Sequence, residues 1–326
     1  MSTDRRPFRF GLQAFEAASA DAWVDTARRT EALGYSSLFT TDHYFGPGEI
    51  SRGSGHRPVD VAPISAMMMA AAVTSTLRVG CRVFGVDYHH PVVLAKELAT
   101  VDFLSGGRLE AALGAGWVKA EYDGMGIAMD RPSVRIERLA EVVRLLRAHW
   151  NGEPIDVHGT YVNVSGFAGL PKPVQNPGPP IMIGGGAPKV LRLAGRVADI
   201  VSFNFNNAAG ALGPSSVASA TAEQTAEKIQ WVREGAGDRF DEIELEIGAY
   251  FIAVTDDAAG AAAAIGGRFD VTGDAILSHP HGLIGSVDSI CDTLIERRER
   301  FGISYITVAQ RHLEEFAPIV ARLSGC

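Results

Sequence analysis

The chain has 326 residues, 46% hydrophobic and 21% charged, with a net charge of −8. That composition supplies a large core, and the acidic balance excludes the broad basic surface that nucleic acid binding needs. No run nears the ~18 apolar residues of a membrane span, and the polar stretch 1–7 holds no leader-type apolar segment. Cys81, Cys291 and Cys326 lie too far apart to suggest a zinc cluster or a disulfide framework, so a reducing cytoplasm is the expected location.

Short apolar strands alternate with longer amphipathic helices almost from end to end, which implies βα units around a parallel sheet. A first strand is expected over 8–14, then a helix over 21–33 ended by Gly34, and a second strand over 37–41 running into Asp42-His43-Tyr44. The Gly-, Ser- and Pro-rich stretch 46–58 reads as a loop long enough to be a lid. A helix over 63–74 leads to a third strand over 78–85. The next helix opens at Pro91, a favoured first helical residue, and ends near Gly106. A fourth strand over 109–113 runs into Gly114-Ala115-Gly116-Trp117.

In the next helix, over 133–150, Leu139, Val142, Val143, Leu146 and Trp150 form one stripe. The pattern then changes. Val157, Tyr161, Val162 and Val164 suggest a short hairpin, and five prolines from Pro171 to Pro180 enforce an extended path, so 151–180 reads as an insertion. A fifth strand over 181–183 precedes Gly184-Gly185-Gly186, with a helix from Pro188. A sixth strand over 200–205, a mobile stretch over 206–219, a helix over 221–234 and a seventh strand over 243–254 follow. A helix over 287–301, where Arg297, Arg298 and Arg300 read as a solvated face, precedes a last strand over 304–308 and a closing helix over 313–323. Eight strands, each followed by helical material, point to one TIM-type (β/α)8 barrel with insertions, for which 326 residues exceed the ~250 such a barrel needs. An open doubly wound sheet would want a glycine fingerprint after its first strand, and Gln13-Ala14-Phe15-Glu16 is not one.

In such barrels function sits on the loops after the strands. Asp42 and His43 place a carboxylate beside an imidazole at a strand end, a pair able to orient a ligand and move protons, or simply to cap a turn. Gly114 and Gly116 let backbone approach a planar ligand, and Trp117 suits a pocket wall or a core. Gly184, Gly185, Gly186 and Ala187 offer backbone N–H groups at a helix start, an anion-binding arrangement. Tyr44, Trp117, Tyr122, Asn204 and Gln310 follow strand ends and are expected to line a substrate pocket. Cys81 reads as a buried strand residue. His89 and His90 point apart if extended, and His279 and His281 read as rim or surface. No metal site is expected.

Together these segments resemble the luciferase-like monooxygenase superfamily, within it the branch that uses the deazaflavin coenzyme F420. The match is carried by Thr41-Asp42-His43, His90-Pro91 with Ala95-Lys96-Glu97, and 102–108. It continues through Gly114-Ala115-Gly116-Trp117 with Glu121-Tyr122, the proline segment 171–180, Ile183-Gly184-Gly185-Gly186 and 302–306. The resemblance implies a barrel with an insertion, F420 (or alternatively FMN) lying across its mouth, and a homodimer. It also implies a non-proline cis peptide under the cofactor ring, at Cys81-Arg82 or Arg82-Val83. Asp42 and His43 would lie beside the ring, His43 as the catalytic group, and the strand-five glycines would hold the ribityl-phosphate part. In relatives that oxidise glucose 6-phosphate a catalytic Glu follows the strand-four glycines; Trp117 stands in that place here. The resemblance therefore implies F420-dependent hydride transfer to or from a small organic substrate. Its alternatives are an FMN monooxygenase using reduced flavin and oxygen, and a non-catalytic cofactor binder.

Overall fold

The computed structural model describes residues 6–152 and 154–326, so most of the stretch read for a leader, and Glu153 in the insertion, lie outside it. The elements run β1 (Arg9–Gln13), α1 (Ala20–Ala32), β2 (Ser37–Thr40), α2 (Glu49–Ser54), α3 (Pro63–Ala72), β3 (Arg78–Cys81), β4 (Phe84–Gly85), α4 (Pro91–Ser105) and β5 (Leu109–Gly114). They continue with α5 (Lys119–Met125), α6 (Pro132–Trp150), β6 (Ile155–His158), β7 (Asn163–Phe167), β8 (Ile181–Gly185), α7 (Pro188–Val197), β9 (Ile200–Phe203), α8 (Pro214–Ala218) and α9 (Ala222–Ala236). The chain ends with β10 (Glu244–Ala249), β11 (Phe251–Val254), α10 (Ala258–Gly266), α11 (Gly273–Leu277), β12 (Gly282–Gly285), α12 (Val287–Phe301), β13 (Ile303–Ala309) and α13 (Leu313–Leu323).

Eight parallel strands close on themselves in the order β3-β2-β1-β13-β10-β9-β8-β5, with β5 pairing back to β3. This is the expected TIM-type barrel. Local chemistry sets many helix starts. Ser19, Thr221 and Ser286 cap α1, α9 and α12 through their hydroxyls, and Pro91, Pro132 and Pro188 sit in the first turns of α4, α6 and α7. Inside the barrel, Phe39, Ala112, Met182, Ile200 and Tyr305 form an apolar plug. At its N-terminal end Arg9 joins Glu110 (2.5 Å) and Glu244 (2.6 Å), tying β1, β5 and β10 together.

Three departures from the sequence reading bear on the site. The third strand, read as one run over 78–85, breaks into β3 and β4 at Arg82-Val83, where the cis peptide implied by the resemblance is found, at the second of the two expected bonds. The seventh strand does not run straight to 254. It bends at Tyr250, and β11 leaves the barrel to pair in parallel with β12, a strand the sequence did not reveal. That pairing draws His279 and His281 inside, at 3% and 0% exposure, rather than onto the rim. Nor is the α12 arginine cluster a solvated face throughout. Arg297 turns inward, donates to the carbonyls of His279, Pro280 and Gly282, and is pushed down to about 10 by burial. The insertion contains the expected hairpin, β6 antiparallel to β7. The 206–219 stretch carries α8 and rests on the expected lid, with Leu212 N–H donating to the Ser54 carbonyl at 2.9 Å. Among the described residues no helix is long and apolar enough to cross a membrane.

Candidate active site

The register brings the ends of β2, β4, β5 and β8 side by side at one end of the barrel. Thr40 pairs with Cys81, Gly85 with Gly114, and Leu113 with Ile183. At their centre sits Val83, which packs on the barrel plug from above. Its side chain fits between two bare backbones. A Cβ on Gly114 would come within 2.5 Å of Val83 Cγ2, and one on Gly184 within 3.2 Å of Cγ1. Glycine at these positions lets a half-exposed apolar residue form a platform across the mouth.

Beneath the platform lies a buried polar network centred on Arg82. Its guanidinium pairs with Glu246 at 3.2 Å and donates to Gln13 Oε1 (3.2 Å), Ser202 Oγ (3.1 Å) and Asn204 Oδ1 (3.3 Å). Burial pulls the guanidinium down, but Glu246 and Tyr250 more than offset this and hold it above its ordinary range. Asn204 accepts from Tyr250 as well (2.5 Å), so its amide is held by protein partners at the edge of the mouth. Cys81 is fully buried, and burial pushes its thiol up, which leaves it a packing residue and no nucleophile.

Asp42 and His43, neighbours in sequence, diverge in space. Asp42 Oδ2 accepts from the Gly85 N–H and from His89 Nε2, both at 2.8 Å, while among the described residues no group is in hydrogen-bonding geometry to its buried Oδ1. His43 turns the other way. Its Nδ1 meets Glu121 Oε2 at 2.6 Å, and among the described residues nothing hydrogen-bonds its Nε2. Aromatic rings enclose it: His56 from the 46–58 loop at 4.2 Å, Phe45 at 5.4 Å and Trp117 edge-on at 6.1 Å. His56 is pushed down to about 3, by burial first and by His43 second, so it stays neutral over His43.

The five residues expected on one pocket wall do not come together. Tyr44 is exposed and lines a pocket of about 460 Å³ shared with Phe45, Ile50, Glu121 and Met125. Trp117 stands beside His43, as described. Tyr122 is fully buried under the strand-four loop instead, donating to Asp87 Oδ2 at 2.9 Å. Its ring fills the space that a Cβ on Gly116 (φ +69°) would need, which accounts for that glycine. Gln310 is tied back to the loop after β1, accepting from the N–H groups of Phe15 and Glu16 at 3.3 Å. The strand-five glycines also have packing reasons: a Cβ on Gly185 would reach Val190, and one on Gly186 the Phe205 carbonyl at 2.2 Å. Gly184 and Gly185 belong to β8, which leaves Gly186 and Ala187 as the turn into α7, where Ala187 offers no capping oxygen. Sequence reasoning quoted Glu121 as part of a motif but did not see it as the partner of His43. The two are 78 positions apart, and only the βα order places α5 beside the end of β2.

Among curated proteins, the chain is 29% identical over 195 residues to an F420-dependent glucose-6-phosphate dehydrogenase of Microbacterium testaceum, covering 59% of this chain and 55% of the relative. It is 32% identical over 120 residues to an FMNH2-dependent dimethylsulfone monooxygenase of Pseudomonas putida, covering 37% and 33%. The chain thus spans about half, or less, of these relatives' lengths. Among solved structures it is similar to an F420-dependent secondary alcohol dehydrogenase in complex with an F420-acetone adduct (TM-score 0.73, 19% identity, 97% of each chain). It is also similar to the coenzyme F420 dependent tetrahydromethanopterin reductase of Methanopyrus kandleri (TM-score 0.72, 18% identity, 98% of this chain and 100% of the other); at these identities the likeness shows the fold. The luciferase-like monooxygenase profile matches residues 7–274, and the protein belongs to that family.

Proposed function

We propose that the chain is an oxidoreductase that binds coenzyme F420 across the barrel mouth and transfers hydride between it and a small organic substrate. The observation that carries this reading is His43, an imidazole that follows β2 at the barrel end where Val83 lies between Gly114 and Gly184, and whose Nε2 has no hydrogen-bond partner among the described residues. The residues present fit a planar cofactor. Val83 offers an apolar surface without flanking side chains at Gly114 and Gly184, and Asp42 Oδ1 is a buried oxygen with no donor in hydrogen-bonding geometry among the described residues. When bound, the deazaflavin supplies a ring carbon that accepts or releases hydride; the protein supplies position and polarity. Val83 and the Arg82-Val83 backbone would support the ring, Asp42 would orient a donor on it, and the uncapped turn at Gly186-Ala187 would hold its phosphate part. His43 gives or takes the proton that accompanies hydride, and the rings of His56, Phe45 and Trp117 shield that exchange from water. Trp117, standing where glucose 6-phosphate dehydrogenases of the family carry a Glu, speaks for a substrate other than that sugar phosphate.

The relationship to an FMNH2-dependent monooxygenase favours a second reading, reduced FMN with oxygen. Anaerobic incubation with F420 and a panel of small alcohols, following loss of the oxidised deazaflavin absorbance, tests the first. Oxygen uptake with reduced FMN, and no deazaflavin reduction, would establish the second; retention of either cofactor without turnover would leave a binder. Three free cysteines suit a reducing cytoplasm. The partner we propose is a second copy of the chain. Val93, Phe103 and Leu104 on α4 are exposed apolar side chains, as are Leu170 and Val174 of the insertion, which hydrogen-bonds to Lys96 and Asp102 of the same helix. Light scattering should give twice the chain mass, and Leu104→Asp should halve it; a monomeric parent chain would refute this.

A further inference from the structure

We propose that Glu121 is the positioning residue that makes His43 a proton acceptor at Nε2, by fixing the imidazole proton on Nδ1. The proposal rests on the reading of His43 as the proton-transfer group of this mouth. Glu121 is 1% exposed, and both its oxygens are committed. Oε1 accepts the backbone N–H of Tyr44 at 2.6 Å. Oε2 meets His43 Nδ1 at 2.6 Å and the Tyr88 hydroxyl at 3.2 Å. A backbone N–H can only donate and a carboxylate oxygen can only accept, so the proton on this side of the ring belongs to Nδ1, and in the neutral imidazole Nε2 keeps its lone pair. In the oxidative direction a substrate O–H bond breaks as an N–H bond forms at Nε2. The C–H electron pair leaves as hydride to the deazaflavin, and the imidazolium charge lies against Glu121. Reduction runs the same steps backwards.

The Tyr44 N–H makes the idea testable by a single isosteric change. In Glu121→Gln the amide oxygen must face Tyr44 N–H, so the NH2 group faces His43 Nδ1. That nitrogen must then accept, and the proton moves to Nε2, where it blocks proton uptake; Tyr88 turns its hydroxyl to accept. The test is the 15N spectrum of cofactor-free, histidine-labelled protein at pH 8, with His43 assigned by comparison with His43→Gln. We expect Nδ1–H in the parent and Nε2–H in Glu121→Gln, with turnover reduced at least about a hundredfold, the usual scale of a lost acid–base step. An unchanged Nδ1–H signal in Glu121→Gln, or an inverted tautomer with turnover within threefold of the parent, overturns the proposal. Should Glu121→Gln fail to fold, Glu121→Ala replaces it. The 460 Å³ pocket that borders Glu121 admits formate, and formate should restore both the Nδ1–H signal and part of the turnover; restoring neither overturns the proposal. Because the spectrum is read without cofactor, it stands apart from whether F420 or FMN is bound.

Discussion

Removing the Arg82 guanidinium should destabilise the protein far more than a typical substitution, and the structure says by what route. The Arg82 side chain is 4% exposed and Glu246 is 0% exposed. Asn204 Oδ1 retains its bond from Tyr250, and Ser202 Oγ retains Asn204, so those partners lose little. The main cost is the Glu246 carboxylate, left charged, buried and without its counter-ion, which is worth about 3–5 kcal/mol. We predict that Arg82→Met lowers unfolding stability by about that amount. Adding Glu246→Gln should return at least about 2 kcal/mol, since it removes the stranded charge at constant shape. Urea unfolding followed by tryptophan fluorescence, with linear extrapolation, measures both. A loss below about 1 kcal/mol in Arg82→Met, or a double variant no more stable than the single one, would show that this pair does not hold the barrel mouth together.

His43→Ala should lower turnover about a hundredfold or more while changing cofactor affinity by less than about tenfold, measured by steady-state rates and fluorescence titration; unchanged turnover would remove His43 from the mechanism. Stability should fall on mild acidification. Burial pushes His279 down to about 4 and His281 well below its ordinary value, so both stay neutral in the folded chain while the unfolded chain takes up protons below about pH 6.5. Their contribution is full above that pH and is lost as pH falls toward about 4, at up to about 1.4 kcal/mol per pH unit for each. Urea midpoints at pH 7 and pH 5 should differ accordingly, and His279→Gln should flatten the difference; equal midpoints would contradict it.

The barrel was legible because its evidence is periodic and local: apolar strands, prolines and hydroxyls at helix starts, and the loops that follow strand ends. What stayed hidden depends on contacts distant in sequence. Residues 243–254 read as one strand, since nothing before Tyr250 announces that the chain leaves the barrel to meet Gly282–Gly285. That excursion is what buries His279 and His281 against Phe205 and Tyr250. The strand-five glycines read as an anion-binding turn, yet Gly185 and Gly186 each face a neighbour that a Cβ would strike, and Gly184 is crowded by Asn204 and Val83. In the site, Asp42-His43 was visible as a pair, but its two members serve different networks. His89 and Gly85 hold the first, and Glu121 holds the second.

The most direct test of the central claim is a fluorescence titration of the purified, cofactor-free protein with oxidised F420 and, in parallel, with FMN. F420 should bind more tightly, and its affinity should fall at least about tenfold when Gly114→Val displaces Val83 from the mouth. Tighter binding of FMN, or F420 binding indifferent to that substitution, would contradict the claim.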